Sequence, residues 1–199
     1  MLAEVYPEAI CELDHESPYQ LLVATVLSAQ CTDSRVNMVT PDLFARWPDA
    51  VSLSTAVPEE LEEVVRSTGF YATKARNLLA MAARLVEQFA GEVPTGLDDL
   101  VSLAGVGRKT ANVIRTVAFD LPGFPVDTHV LRLTTRLGIT DEFDPVKVEM
   151  VVSPMVPAAE RGDFSLRLIL HGRRICVAKR PACGDCTLAW WCPSAGMTP

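Results

Sequence analysis

Residues 97–118 read LDDLVSLAGVGRKTANVIRTVA, and this stretch decides the fold. An apolar helix runs to about Leu103, Gly105-Val106-Gly107 makes a tight turn, and a second helix begins at Arg108. Two glycines permit positive φ and remove Cβ atoms, so that another backbone can come close. The helix behind them points its unpaired N–H groups and the positive end of its dipole at whatever occupies the turn. A phosphate suits that position. A helix–hairpin–helix of this kind holds nucleic acid by its backbone without reading its sequence. An ordinary helical turn remains the plainer alternative, because short glycine motifs are weak evidence alone.

Lys109 lies in the first turn of the second helix, where a cation opposes the dipole and where helix starts usually recruit Asp or Glu. The same field favours the neutral amine, which beside a sugar carbon is a nucleophile able to form a Schiff base. Simple phosphate contact is the competing role. Eighteen residues on, Val126-Asp127-Thr128-His129 enters the apolar helix VLRLTTRLG with Asp127 placed as its N-cap. A carboxylate near Lys109 could also assist deprotonation and stabilise positive charge on a sugar ring.

Outward from this core, the punctuation is helical. Ser17-Pro18 opens the nearly wholly apolar LLVATVLSAQ, Thr40-Pro41 repeats the start signal before DLFARW, and Val57-Pro58 opens EELEEVVRSTG with Gly69 as a stop. Apolar residues at 78, 79, 82, 85, 86 and 89 form a helical stripe over 73–89. Strand alternation and repeats are missing, so the fold class is all-α. The 199 residues, 49% of them hydrophobic, suffice for one large or two small domains. The N-terminus lacks the basic start and apolar run of a signal peptide, and no apolar run is long enough to span a bilayer. These features point to the cytoplasm and away from a membrane.

A net charge of −7 is awkward for a nucleic-acid binder, but it is unevenly distributed. Residues 1–100 hold 6 Lys+Arg against 16 Asp+Glu, a balance of −10; residues 101–199 hold 12 against 9, a balance of +3. Four of the six cysteines, Cys176, Cys183, Cys186 and Cys192, lie in one short stretch spaced C-x6-C-x2-C-x5-C. In a reducing compartment that concentration argues for metal rather than disulfides, with an iron–sulfur cluster and zinc both compatible. Lys179 and Arg180 stand on the intervening loop beside Pro181, where they suit phosphate contact. Cys11 and Cys31 sit among apolar residues and read as small buried hydrophobes.

Taken together, SPYQLLVATVLSAQCTD, GFYATKA, LAGVGRKTANVI, VDTHVLRLTTRLG and LILHGRRICVAKRPACGDC with Cys192 resemble the helix–hairpin–helix DNA glycosylase superfamily, and within it the endonuclease III group. The resemblance spans almost the entire chain. It implies two helical domains flanking a DNA-binding cleft: a helical barrel over 11–122 that contains the hairpin, and residues 1–10 with 123–199 carrying a [4Fe–4S] cluster on Cys176, Cys183, Cys186 and Cys192. It implies a monomeric, nucleoid-associated enzyme that flips a damaged base out of duplex DNA. The enzyme would excise oxidised pyrimidines and cut abasic sites by β-elimination. On this resemblance Lys109 is the nucleophile and Asp127 the activating carboxylate. Gln30 fills the gap left by the flipped base, Phe70 is a wedge, and His129 touches DNA near the pocket. Gly105, Val106, Gly107, Lys179 and Arg180 meet the DNA backbone. Ala104 stands where the group usually has Pro, and Phe70 where Leu is frequent. Adenine or mismatch glycosylases are the nearest alternative, but they typically lack a lysine at the position of Lys109. A non-catalytic, redox-sensing DNA-binding protein would have no use for both Lys109 and Asp127.

Overall fold

Local start signals set most of the helices. The computed structural model describes residues 1–196, and among these there is no strand. In chain order the α-helices are α1 (Leu2–Val5), α2 (Pro18–Leu27), α3 (Asp33–Arg46), α4 (Ala50–Ser54), α5 (Pro58–Val65), α6 (Tyr71–Phe89), α7 (Leu97–Val101), α8 (Arg108–Ala118), α9 (Thr128–Arg136), α10 (Pro145–Val152) and α11 (Arg161–Arg174). Ser17 caps α2 by accepting from the Gln20 N–H at 3.2 Å, with Pro18 as first helical residue. Pro58 opens α5 in the same way. No helix of the described residues is long and apolar enough to cross a membrane.

One start signal misleads. Thr40-Pro41 does not open a helix; Pro41 lies inside α3, which begins at the Thr32 cap. An interior proline loses one backbone hydrogen bond and crowds the preceding turn, at about 3 kcal/mol. Val36, Val39 and Leu43 are buried on the same helix. Each contributes roughly 1.5–3 kcal/mol when removed from water, so burial outweighs the proline.

The chain divides into two compact units, Cys11–Phe119 and Met1–Ile10 with Asp120–Pro199. At the centre of the first lies α2, whose residues from Leu21 to Leu27 are all buried. It shares one core with Leu43, Leu53, Leu61, Leu78, Met81, Leu85, Leu100 and Ile114. The helix α6 packs against α4 and α5, and α8 packs against α2 and α7. Of the stripe on α6, Leu78, Ala82 and Leu85 are fully buried, and Leu79, Val86 and Phe89 pack at its margin. Cys11 and Cys31 are half-buried against the same core.

In the second unit α9 packs on α11 around Phe124, Val130, Leu133, Val148, Val152 and Leu168. Residues 1–10 join this unit through Tyr6. Its hydroxyl meets His171 Nδ1 at 3.2 Å, and its carbonyl accepts from Arg167 Nε at 3.2 Å.

Candidate functional site

The hairpin treats its two glycines differently. Gly105 has φ +79, a conformation other residues enter only with strain, and an added Cβ would lie 3.2 Å from Asn77 on α6 and 3.3 Å from Val26 on α2. Gly107, by contrast, is extended at φ −91, and nothing stands within 4 Å of where its Cβ would be. Only one of the two supplies a positive φ, so the expectation for the pair is corrected to Gly105. The room at Gly107 is not filled by any described residue. Val106, between them, is buried and anchors the turn.

Gly107 is the N-cap of α8 and offers no capping side chain. Lys109 follows as the second helical residue, exposed to solvent. A cation at this end of a helix is placed against the dipole, with no carboxylate paired to it among the described residues.

Asp127 caps α9. Its Oδ1 accepts from the N–H groups of His129 at 2.8 Å and Val130 at 2.9 Å. Its second oxygen takes no hydrogen bond from within the described chain. One oxygen therefore serves the helix and the other is available for chemistry. His129, half-buried two residues on, has Nδ1 3.1 Å from Arg132 Nη2. Arg132 in turn donates to the carbonyls of Gly172 at 2.9 Å and Cys176 at 3.0 Å. Gly172 is needed for this approach, since a Cβ there would come within 2.8 Å of His129 Cβ.

Gln30 and Phe70 share an unusual backbone. Both are exposed, and both are left-handed, at φ 53 and φ 48. Such residues cost about 1–3 kcal/mol each and persist only where surrounding structure holds them. Phe70 is 65% exposed as the N-cap residue of α6, which rules out packing in a core.

The four clustered cysteines line a single cavity of about 30 Å³ in the second unit, together with Leu133, Leu137 and Ile175. Among the described residues no three Cys, His, Asp or Glu side chains close on a single-ion position. Arg136 Nη1 donates to Cys176 Sγ at 3.3 Å, and its guanidinium also holds the carbonyls of Val177 at 2.9 Å and Ala178 at 2.7 Å. His171 Nε2 lies 3.3 Å from Cys186 Sγ. Burial pushes the Cys186 thiol up; the Leu188 N–H opposes this, and the other three thiols add to it by repulsion. Burial likewise depresses His171. The donor set suits a thiolate-bound metal group: four sulfurs on one cavity, a guanidinium beside them and apolar walls. Lys179 and Arg180 are exposed on the loop between Cys176 and Cys183.

Sequence reasoning did not find Lys74, Arg132, Arg136, Gly172 or His171. Each acts across long sequence separations, 40 residues for Arg132 with Gly172, and no local pattern announces it.

Compared with known proteins, residues 23–156 match the HhH-GPD superfamily of base excision DNA repair proteins. The chain is 50% identical over 196 residues to endonuclease III of Synechocystis sp., covering 98% of this chain and 90% of that protein. It is 43% identical to endonuclease III of Bacillus subtilis over 96% of this chain and 88% of that one. Among solved structures, a trapped endonuclease III–DNA covalent intermediate superposes with a TM-score of 0.93 at 42% identity, covering 98% of this chain and 92% of the other. The chain belongs to the HhH-GPD superfamily of base excision DNA repair proteins, and within it to the endonuclease III family.

Proposed function

We propose that this chain is a bifunctional DNA glycosylase and abasic-site lyase that removes oxidised pyrimidines from duplex DNA in base excision repair. The observation that carries the reading is Lys109, exposed at the uncapped start of α8, in a chain so close to a protein trapped covalently on DNA. The Lys109 amine attacks C1′ of the damaged nucleotide, and the glycosidic bond breaks with its electrons leaving on the base. The resulting amine loses one proton, its lone pair expels O4′ as the C1′–O4′ bond breaks, and O4′ takes up a proton, which opens the sugar ring and gives the iminium. A proton then leaves C2′, the C3′–O bond breaks to release the strand on the 3′ side with a 5′-phosphate end, and water hydrolyses the imine to free Lys109. Asp127 is the activating carboxylate, its free oxygen acting as base and steadying positive charge on the sugar. The open space at Gly107 admits the DNA backbone, and the first turn of α8 faces a phosphate. His129 lies against the DNA near the pocket, and Lys179 and Arg180 touch backbone phosphates. The enzyme works as a monomer, in the bacterial cytoplasm at the nucleoid.

Borohydride reduction on an abasic duplex tests this directly. A stable protein–DNA adduct is expected, together with strand scission when the reductant is omitted. Recovery of neither product would refute the lyase reading.

Gln30 and Phe70 enter the duplex at the lesion. An amide donates and accepts at once, which suits an orphaned base edge, and Phe70 wedges the stack. Phe70→Ala should leave melting within about 0.5 kcal/mol of wild type, as for other exposed substitutions. A core phenylalanine would instead lose roughly 3–5 kcal/mol. Single-turnover excision by the variant should slow while melting stays put. A large fall in melting temperature with normal excision per folded molecule would remove Phe70 from this role.

A [4Fe–4S] cluster held by Cys176, Cys183, Cys186 and Cys192 is the cofactor of this reading. Support comes from the shared cavity and from the Arg136 and His171 contacts to sulfur. When bound, the cluster supplies iron–thiolate bonds that tie residues 176–192 into one loop. Protein purified without oxygen should be brown, absorb broadly in the visible and contain iron and sulfide. Cys186→Ser should lower soluble yield and weaken DNA binding through Lys179 and Arg180. Zinc without iron on elemental analysis would replace the cluster by a single ion and leave the Lys109 chemistry untouched.

A further inference from the structure

Lys74 sits at the end of the first turn of α6 and is only 4% exposed. A buried ammonium is costly unless its protons are satisfied, and a methionine would fill the same space more cheaply. No carboxylate pairs with it among the described residues. Its Nζ donates instead to two backbone carbonyls, Leu27 O and Thr68 O, each at 2.8 Å. Its own backbone N–H donates to Phe70 O at 3.0 Å. Burial depresses the ammonium, with Cys31 pulling the other way.

The two carbonyls have the same position relative to function. Leu27 is the last residue of α2, just before the turn that ends in Gln30. Thr68 is the last residue of the short 3-10 turn Arg66–Thr68, just before Gly69 and Phe70. Both turns therefore end in a left-handed residue with a Cβ, at φ 53 and φ 48. Left to themselves, such residues relax to the right-handed or extended regions. A cation at the C-terminal carbonyl of α2 also complements that helix end.

We propose that Lys74 is a positioning residue that locks the Gln30 and Phe70 turns to one another through a single ammonium, so that both side chains are presented to the duplex already in register. The proposal rests on the reading above that Gln30 and Phe70 enter DNA. Its physical content is preorganisation. The ordering of two exposed turns is done during folding, so less of it is charged against lesion binding.

The test compares wild type with Lys74→Met, which keeps the apolar stem and loses every donor. Borohydride trapping is measured on duplex abasic DNA and on single-stranded abasic DNA, which has no opposite base to contact. The rate on duplex should fall about tenfold more than the rate on single strands. Amide hydrogen exchange of residues 29–31 and 69–71 should accelerate at least tenfold, while the centres of α2 and α8 keep their protection. Lys74→Arg, which retains donors, should recover part of the loss. In a Gln30→Ala/Phe70→Ala background Lys74→Met should add no further duplex-selective loss, because the groups it holds are gone.

Equal losses on both DNA forms, or an additive loss in that background, would overturn the proposal and leave Lys74 as core support. If Lys74→Met does not fold, Lys74→Gln, with one amide group, is put through the same comparison and judged by the same ratio. Failure of the underlying reading is separately visible. If Gln30→Ala/Phe70→Ala alone shows no duplex-selective loss, the insertion role falls and the proposal falls with it.

Discussion

Lys109→Gln should abolish borohydride trapping and reduce strand scission at abasic sites by roughly 10³-fold or more, as removal of an enzyme's nucleophile does. Glutamine keeps much of the length and polarity of the side chain but offers no nucleophilic amine. The same substitution should not destabilise the protein. Lys109 is exposed, in the first turn of α8, with Gly107 rather than an acidic residue at the cap. Removing a cation from that end relieves an unfavourable dipole interaction of about 0.3–1 kcal/mol. Activity and stability should therefore move in opposite directions, which distinguishes a functional lysine from a supporting one. Thermal melting beside trapping on an abasic duplex checks both. A variant that still cross-links and nicks at the wild-type rate would assign the nucleophile to another residue.

Asp127→Asn should reduce turnover by roughly 10²-fold, the usual scale for a positioned acid–base group. The expectation depends on the division of labour between the two carboxylate oxygens. Oδ1 caps α9 through His129 and Val130, and an asparagine oxygen can accept both bonds equally well. The second oxygen becomes an amide, which neither takes up a proton nor faces a cation favourably. Melting should shift little, by about the 0.3–1 kcal/mol that a charge contributes at a helix N-terminus. Asp127→Ala makes the useful contrast, since it loses the cap as well, at about 1 kcal/mol. Turnover by Asp127→Asn at the wild-type level would reduce Asp127 to its structural duty.

Local chemistry in the sequence was enough for much of this. Ser17-Pro18 and Val57-Pro58 mark true helix starts because a first-turn proline, and at Ser17 a capping side chain, act within a few residues of themselves. The stripe on α6 buries the side it announces, because helical periodicity is a property of neighbours three and four apart. Asp127 could be named as a cap for the same reason. Lys109 stood out as a charge on the wrong end of a helix, and four cysteines within one short stretch could be named as one donor set.

What tertiary structure alone decided lies beyond that range. Thr40-Pro41 carries a sound local start signal, yet α3 runs through it because Val36, Val39 and Leu43 share a buried face. Gly105 and Gly107 look equivalent in the sequence. They differ because Asn77 and Val26 crowd the first and nothing among the described residues comes within 4 Å of a Cβ at the second. Nothing in LSAQ or in GFY specifies a left-handed glutamine or phenylalanine. The carbonyls that precede both turns, Leu27 O and Thr68 O, meet at one ammonium, that of Lys74, and Leu27 lies 47 residues away from it. Arg136 and Cys176, likewise 40 residues apart, meet only because α9 packs against α11. A hydrogen bond between distant residues leaves no periodic trace, so the donors that orient this site became visible only when packing brought them to their acceptors.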